Sequence, residues 1–567
     1  MKLTHIHIAC FRAIRKADIA VGNEVALVGQ NSAGKTSILR ALNAFFNFED
    51  ERIAFESGQH TFQASSFAVI ELTFTEVPAT STLPRTSAAD EVRARLRFRK
   101  QAQWQIFDGH TWVAAPLDLH ALLRQHISFA FIPLRRDHEI AGWGPGGLME
   151  RVVEASVRAT RQRDHITPGI RALGERLQKQ SLNTLATQLR KKTPLRGNFE
   201  YTLDYAIAPD YSVLLRNLIL HVREGSQTVS LADSGSGTQS LAVFALYSYL
   251  AEIENSTYIL GFEEPEQNLH PQAQIQLLTK LKSFGLQVIF TTHSPTMIDA
   301  LDHEQVVLCR RAASATRAIE TQVTQLPSSF FASRSLNRDD YYRFHRRRNS
   351  EFFFADHVVV TESPIDAAVV GQMMADSGTD LASSSVSVLP LDGVGSLSYV
   401  FHLLRALDIK STFIVDKDYF LPYVNNYRDT SLDAHGYPRF GKTLKHATVV
   451  DWIFPRSVDK SRLERNLFSD HAAAAAMLQS VGFHCFRWSL EVDLVSSPST
   501  RTKLYAAMNV PPQLQSEYEL LVTRKKTLKK QTTLINGIDG VPARGLPIAY
   551  KGIRRELMRV TDEILHA

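Results

Sequence analysis

The chain has 567 residues, 44% of them hydrophobic and 22% charged, with a net charge of +6. That balance excludes a disordered or fibrous chain, and at roughly 150 residues per domain the length suggests three or four domains. No run approaches the ~20 apolar residues of a membrane helix, and Met1 to Ala20 lack the layout of a signal peptide. Cys10, Cys309 and Cys485 are far apart and form no CxxC pair, which excludes a zinc ribbon or disulfide framework and suits a reducing cytoplasm. The positive charge permits a nucleic-acid partner without showing one.

In chain order, apolar and β-branched runs predict strands at Leu3–Ala9 and Glu24–Val28, then a helix from Thr36 to Phe46. Strand patterns resume at Ser66–Thr75 and Arg95–Phe107. Residues 148–192 read as a polar helical insertion, either a subunit contact or a solvated face. Residues 310–350 shift to Ser, Thr and Arg with the basic cluster His345 to Arg348 near their end, the pattern of a linker, which is placed at 311–355. A regular alternation follows: strand His357–Thr361, helix Pro364–Met374, strand Val386–Leu391, helix Leu397–Leu407, strand Thr412–Val415. That alternation predicts βαβ units on a parallel sheet. The remainder, from 471 onward, reads as mostly helical. The sustained heptads of a coiled-coil arm are absent.

Gly29 to Thr36 match G-x-x-x-x-G-K-[ST] between a short apolar strand and a helix, the context that turns the motif into a phosphate cradle. Backbone amides around Asn31, Ser32, Gly34 and Ser37 would wrap phosphates, Lys35 would reach the β- and γ-phosphates, and Thr36 would ligate Mg²⁺. Further on, an apolar strand at Tyr258–Phe262 ends in Glu263-Glu264-Pro265. The first acid suits Mg²⁺ and the second an attacking water. A second such strand, Val288 onward, ends in His293, which one helix and one strand after Glu264 would stand beside it. The Ser/Gly-rich turn holding Ser234, Ser236 and Gly237 opens a predicted helix from Gln239 to Ile253.

In the second half, Glu362 ends one predicted strand and Asp416 and Asp418 follow another. Acids at the carboxyl ends of parallel strands share one crevice, and converging carboxylates suit Mg²⁺ or Mn²⁺. Asp366 reads equally as the N3 acid of a capping box begun by Ser363 and as a metal-site acid.

Several of these elements resemble known families. The turn at 234–237 resembles the signature of ATP-binding cassettes, which implies contact with the γ-phosphate of an opposite subunit and hence at least a dimer. Phe11-Arg12 resembles the aromatic-Arg element of SMC-like cassette ATPases, which implies that Arg12 touches ATP. Glu362-Ser363-Pro364-Ile365-Asp366, the glycine turn at 392–395 and Asp416-Lys417-Asp418 resemble a Toprim domain. Ser363 stands where that family usually has glycine. Cassette ATPase followed by Toprim is similar to the OLD (overcoming lysogenization defect) family of ATP-dependent nucleases and to the large subunit of the Gabija antiphage system.

The resemblance implies an α/β chain: an ATPase domain over 1–310 with the 148–192 insertion, a linker over 311–355, a Toprim nuclease domain over 356–470, and a helical region over 471–567 completing it. It implies ATP and Mg²⁺ as cofactors, with Mn²⁺ as the other metal for the nuclease site. The implied partners are DNA, a second copy of the chain, and a further defence subunit or guide nucleic acid. It also implies another acid and a lysine at the scissile phosphate, with Glu464, Glu491, Asp493 and Lys551 as the candidates. Two functions compete: an ATP-regulated, metal-dependent DNA endonuclease, and a DNA-binding or signalling ATPase whose Toprim domain is a degenerate platform.

Overall fold

The structure, a computed structural model, describes residues 1–86, 90–134, 147–159, 162–192, 220–224, 227–231, 233–267, 269–283, 285–313, 319–391, 393–445 and 448–566. Within the insertion, linker and glycine turn quoted above, 160–161, 314–318 and Asp392 lie outside the described residues. The chain forms two compact units: Met1–Leu301 with Gln305–Val323, and Asp302–Glu304 with Thr324–Ala567.

The first unit is built on β1 (Lys2–Phe11), β2 (Ile14–Ala20), β3 (Glu24–Val28), β4 (Ala68–Thr75), β5 (Val92–Phe98), β6 (Ala102–Phe107), β7 (Trp112–Ala114), β8 (Ile127–Ile132), β9 (His221–Glu224), β10 (Gln227–Ser230), β11 (Thr257–Glu263), β12 (Gln287–Thr291), β13 (Val306–Ala312) and β14 (Glu320–Gln325). Twelve strands make one sheet in the order β7-β6-β5-β4-β1-β2-β14-β13-β3-β12-β11-β8, while β9 and β10 form a separate pair.

The sheet has two halves with different physics. Strands β8, β11, β12, β3 and β13 run parallel, and β3 and β12 are buried at every position, as a parallel sheet covered on both faces requires. Strands β1, β2 and β4 to β7 pair antiparallel. There β4 and β5 alternate buried and half-exposed residues, because one face meets the core and the other meets water. The run expected as a single strand at Arg95–Phe107 is two, β5 and β6, joined by a turn at 99–101. That turn is Arg-Lys-Gln, without the Gly, Asn or Asp that marks a tight hairpin in sequence.

Helices α1 (Lys35–Phe46) and α2 (Phe48–Glu56) pack the core aromatics Phe45, Phe46 and Phe55. Beneath them, buried Glu51 accepts from Arg40 (2.8 Å), Asn43 (2.8 Å) and His60 (2.7 Å). Burial works against its charge, yet the His60, Arg40 and Asn43 hydrogen bonds hold the carboxyl down at about 2. Removing one partner of such a network strands the others. Glu51→Ala is therefore expected to destabilise this unit by about 3 kcal/mol, read as a drop in chemical-denaturation stability.

The second unit carries a four-stranded sheet: β15 (His357–Thr361), β16 (Val386–Pro390), β17 (Lys410–Val415) and β18 (Phe483–Cys485), ordered β16-β15-β17-β18 and wholly parallel. Most of the segment expected as a linker is folded. Helical turns at Phe330–Ser333, Arg338–His345 and Ser350–Phe354 bury Phe330, Tyr341, Phe344, Phe352 and Phe353. These rings gather with Tyr399 around His303, whose Nδ1 lies 2.7 Å from the Tyr399 hydroxyl. Its arginines and serines set the average composition, but interleaved aromatics at helical spacing supply enough apolar area to fold it. Beyond β18 the chain is helical, and Leu490, Leu504, Leu534, Tyr550 and Leu557 build a core there with Val369 and Met373.

Candidate functional site

The phosphate loop lies between β3 and α1. Gly29 and Gly34 have φ of 137° and 97°. A Cβ at Gly29 would stand 2.0 Å from the Cys309 carbonyl oxygen, and one at Gly34 would stand 2.3 Å from Thr321 Oγ1. Both positions exclude any side chain on sterics as well as on conformation. The Lys35 ammonium donates to the carbonyls of Gly29 (2.9 Å) and Gln30 (3.0 Å). Burial lowers its pKa.

A cavity of about 440 Å³ opens here, lined by Asn31, Ser32, Gly34, Lys35, Thr36 and Ser37 from the loop, Arg12 from the β1–β2 turn, and Glu263, Glu264 and His293 from the ends of β11 and β12. Those two strands are parallel neighbours, which brings His293 Nε2 to 3.8 Å from Glu264 Oε1. Glu264 adopts a left-handed backbone, φ 43°, fixed by its N–H donating to the carbonyl and hydroxyl of Thr291, each at 3.1 Å. A non-glycine residue in that region stores strain of order 1 kcal/mol or more, a feature typical of functional sites. Burial and then Lys35 lower the pKa of His293, so its ring is neutral near pH 7. Buried Glu266 accepts from the Thr292 hydroxyl (2.6 Å) and the His293 amide (2.9 Å), and so fixes the strand end that carries the histidine. Ser234 and Gly237 do not line this cavity; helix α3 (Ser236–Glu254) opens at this turn.

In the second unit, Glu362 follows β15 and Asp416 follows β17. These strands are adjacent and parallel, so both acids leave the same edge of the sheet. Ligand oxygens of Glu362, Asp416 and Asp418 all lie within 4.8 Å of one another. The loops are tied: Glu362 Oε1 accepts from the Asp416 amide (2.8 Å), and Asp416 Oδ1 accepts from the Leu490 amide (3.0 Å). Burial, opposed by that amide and reinforced by Asp418 and Asp366, pushes Glu362 up to about 8. Burial and then Glu362 push Asp416 well above the usual carboxylate range. Carboxylates crowded so closely repel as anions, and a divalent cation removes that repulsion. The donor set of oxygens alone fits Mg²⁺ or Mn²⁺.

Asp366 stands at the start of helix α4 (Pro364–Ala375), where the Ser363 hydroxyl accepts from its amide at 3.3 Å. Its carboxyl also lines a cavity of about 210 Å³ with Glu362 and Asp416. Asp366 thus begins a capped helix and lines the cavity, while the three acids whose oxygens converge are Glu362, Asp416 and Asp418.

Two family models match the chain. One, for an AAA domain of the AbiEii toxin and Type IV TA system type, matches residues 25–299. The other, the overcoming lysogenization defect protein-like TOPRIM domain, matches residues 353–418. Together with two relatives, these matches support an ATPase–Toprim nuclease of the OLD kind. Two relatives carry the same name. The OLD nuclease of Thermus scotoductus is 24% identical over 447 residues, 73% of this chain and 82% of the relative. The Old nuclease of Escherichia phage P2 is 22% identical over 465 residues, 74% of this chain and 78% of the relative. Among solved structures, the SMC head domain of Thermotoga maritima aligns with 58% of this chain and all of its own, at TM-score 0.30 and 16% identity. The Smc head of Pyrococcus furiosus aligns at TM-score 0.36 and 12% identity, covering 59% and 98%.

Of the four outlying candidates, only Glu491 reaches the acidic cavity. It lies on helix α5 (Leu490–Ser496). Burial opposes its charge, but Arg428 at 2.6 Å and then Lys529 at 3.4 Å outweigh it and hold the carboxyl down at about 2. Asp493 is buried and accepts from the amides of Arg487 and Trp488, each at 2.9 Å, closing the turn that presents Glu491. Glu464 accepts from the Leu444 amide at 3.3 Å, and Lys551 lies on helix α6 (Ile548–Leu565); neither lines the cavity. The lysine that does is Lys529. It sits in a basic run, 524–530, that looks like ordinary surface in sequence, and no local pattern distinguishes it. Among the described residues, no helix is long and apolar enough to cross a membrane.

Proposed function

We propose that the chain is an ATP-hydrolysing, divalent-metal-dependent DNA endonuclease acting in antiphage defence. The observation that carries the reading is the convergence of Glu362, Asp416 and Asp418 at the carboxyl edge of a parallel sheet. Mg²⁺ or Mn²⁺ held there would polarise a scissile phosphate and stabilise its attacking and leaving oxygens. Asp366 and Glu491 complete the acidic wall, and Lys529 supplies the one cation lining the same cavity among the described residues.

In the ATPase unit, Lys35 and the loop amides bind the β- and γ-phosphates, and Thr36 and Glu263 hold Mg²⁺. Glu264 orients water, and neutral His293 contacts the γ-phosphate. Arg12 approaches the nucleotide from the β1–β2 turn. Ser234, Ser236 and Gly237 act on the nucleotide of a second copy, which makes the working form at least a dimer. The helical segment 148–192 exposes Leu173, Leu177 and Leu185, and is the proposed contact between copies. Bound ATP changes the rate of cleavage, with inhibition and activation as the two directions open to it, a coupling between two sites.

Supercoiled plasmid incubated with the protein and Mg²⁺ or Mn²⁺ tests this reading. Nicked or linear product is expected with at least one metal, and its amount is expected to change, down for inhibition or up for activation, as ATP or a non-hydrolysable analogue is titrated in. No product with either metal, at intact ATP turnover, would leave the platform reading instead. Unchanged product across the nucleotide titration would discard the coupling alone. Phage plating on cells expressing the chain or its Asp416→Ala variant tests the defence role.

A further inference from the structure

Strand β5 presents an unusual face. Its even core positions, Val92, Ala94, Leu96 and Phe98, are buried, and the alternate positions are Arg93, Arg95 and Arg97, with Arg99 next in the same phase. Successive arginines on one strand face stand about 6.8 Å apart. Like charges so arrayed repel unless acids intervene, and here the flanking strands supply only one. The register pairs Arg93, Arg95 and Arg97 with Thr73, Glu71 and Val69 on β4. On β6, Arg95 and Arg97 face Gln105 and Gln103. Glu71 is engaged by Arg93. The pKa of Arg95 is lowered by burial first and then by Arg97, so the crowding is felt.

The side chains are also held in place. The Arg95 guanidinium lies 4.0 Å from the Trp112 ring centroid and its Nε donates to Gln105 at 2.8 Å. Arg97 lies 4.3 Å from the Phe67 centroid. Stacking fixes each planar fork, which lowers the entropy lost when it takes an anion and leaves donors for bidentate contact with phosphate. A solvated sheet face has no need of this: it mixes signs and mobile lysines.

We propose that the arginine face of β5, with Phe67 and Trp112, is a surface that binds the phosphate backbone of nucleic acid independently of sequence. It shares a DNA partner with the nuclease reading but needs no cleavage, and it lies in the ATPase unit, apart in sequence from the Toprim acids.

The test is fluorescence anisotropy of the full chain with short labelled duplex and single-stranded DNA, without divalent metal, over a salt series. R95E/R97E is expected to bind at least about tenfold more weakly on every sequence, and the slope of log K against log salt is expected to fall by about 2, one per lost phosphate contact. R95Q/R97Q, which keeps polar side chains of similar reach, should lose the same slope with a smaller loss of affinity. Basal ATP turnover should be unchanged in both, which shows that the unit is folded. Wild-type affinity and slope in a folded Gln variant would overturn the proposal and give the face to an acidic protein partner. So would a wild type that binds neither DNA form. The outcomes separate from the nuclease reading: plasmid cleavage with unchanged oligonucleotide binding sinks only this proposal, and loss of binding in a chain that never cleaves sinks only the nuclease.

Discussion

Asp416→Ala is expected to abolish plasmid cleavage, a loss of about 10³-fold or more if a several-kcal/mol charge stabilisation at the phosphate disappears, while ATP turnover stays near wild type. Two features set the size of the effect. Asp416 is one of three acids whose oxygens lie within 4.8 Å, so its removal takes a ligand from the centre of the cluster. Its Oδ1 also receives the Leu490 amide at the start of the helix that carries Glu491, so alanine loosens a second acid. Asp416→Asn separates the contributions, since it keeps an acceptor for Leu490 and loses the charge. If Asn is as inactive as Ala and both melt like wild type, the loss is one of metal binding. Asp418→Ala and Glu362→Ala are expected to follow Asp416→Ala. Cleavage surviving in all three would remove the Toprim site from the mechanism.

The second large effect is expected at Glu264. Glu264→Gln should retain ATP binding and lose hydrolysis by about 10²- to 10⁴-fold, because an amide can neither orient nor accept a proton from water as a carboxylate does. Its left-handed backbone and paired Thr291 contacts fix the side chain at the cavity, so the amide keeps the position and loses only the charge. Lys35→Ala should abolish turnover by a different route, through lost phosphate contact, and nucleotide affinity distinguishes the two. Glu263→Gln should instead raise the Mg²⁺ requirement. If Glu263→Gln and Glu264→Gln exchange these behaviours, the two acids exchange roles.

Much of the ATPase site is legible in the amino-acid sequence. The phosphate loop is contiguous, and its chemistry resides in backbone amides and one lysine, so spacing alone announces it. Glu263, Glu264 and His293 are legible for another reason: apolar strands that end in polar residues deliver them to one edge of a parallel sheet, and β11 and β12 are neighbours. Glu266 is less so, because its task is a hydrogen bond to the His293 amide across a loop.

The acidic site divides the same way. The local pattern of strand, acid, helix and strand, D-x-D is sufficient to place Glu362 and Asp416 together, since consecutive βαβ units with right-handed crossovers leave few alternatives. The identities of the remaining members depend on packing of the helical C-terminal region. Glu491, Asp493, Glu464 and Lys551 are equivalent as text. Only folding sends Glu491 to the cavity, turns Asp493 inward onto the amides of Arg487 and Trp488, and brings Lys529 rather than Lys551 beside the acids. The 311–355 segment shows the same limit. Its average composition describes a linker, but a fold responds to which faces its aromatics share, and Tyr341, Phe344 and Phe352 meet only once the helix and its 3₁₀ turn are formed. Local chemistry written over a few neighbouring residues survives in the one-dimensional string; contacts made across long loops, such as Arg428 to Glu491, depend on the closure of a tertiary core and form only with it.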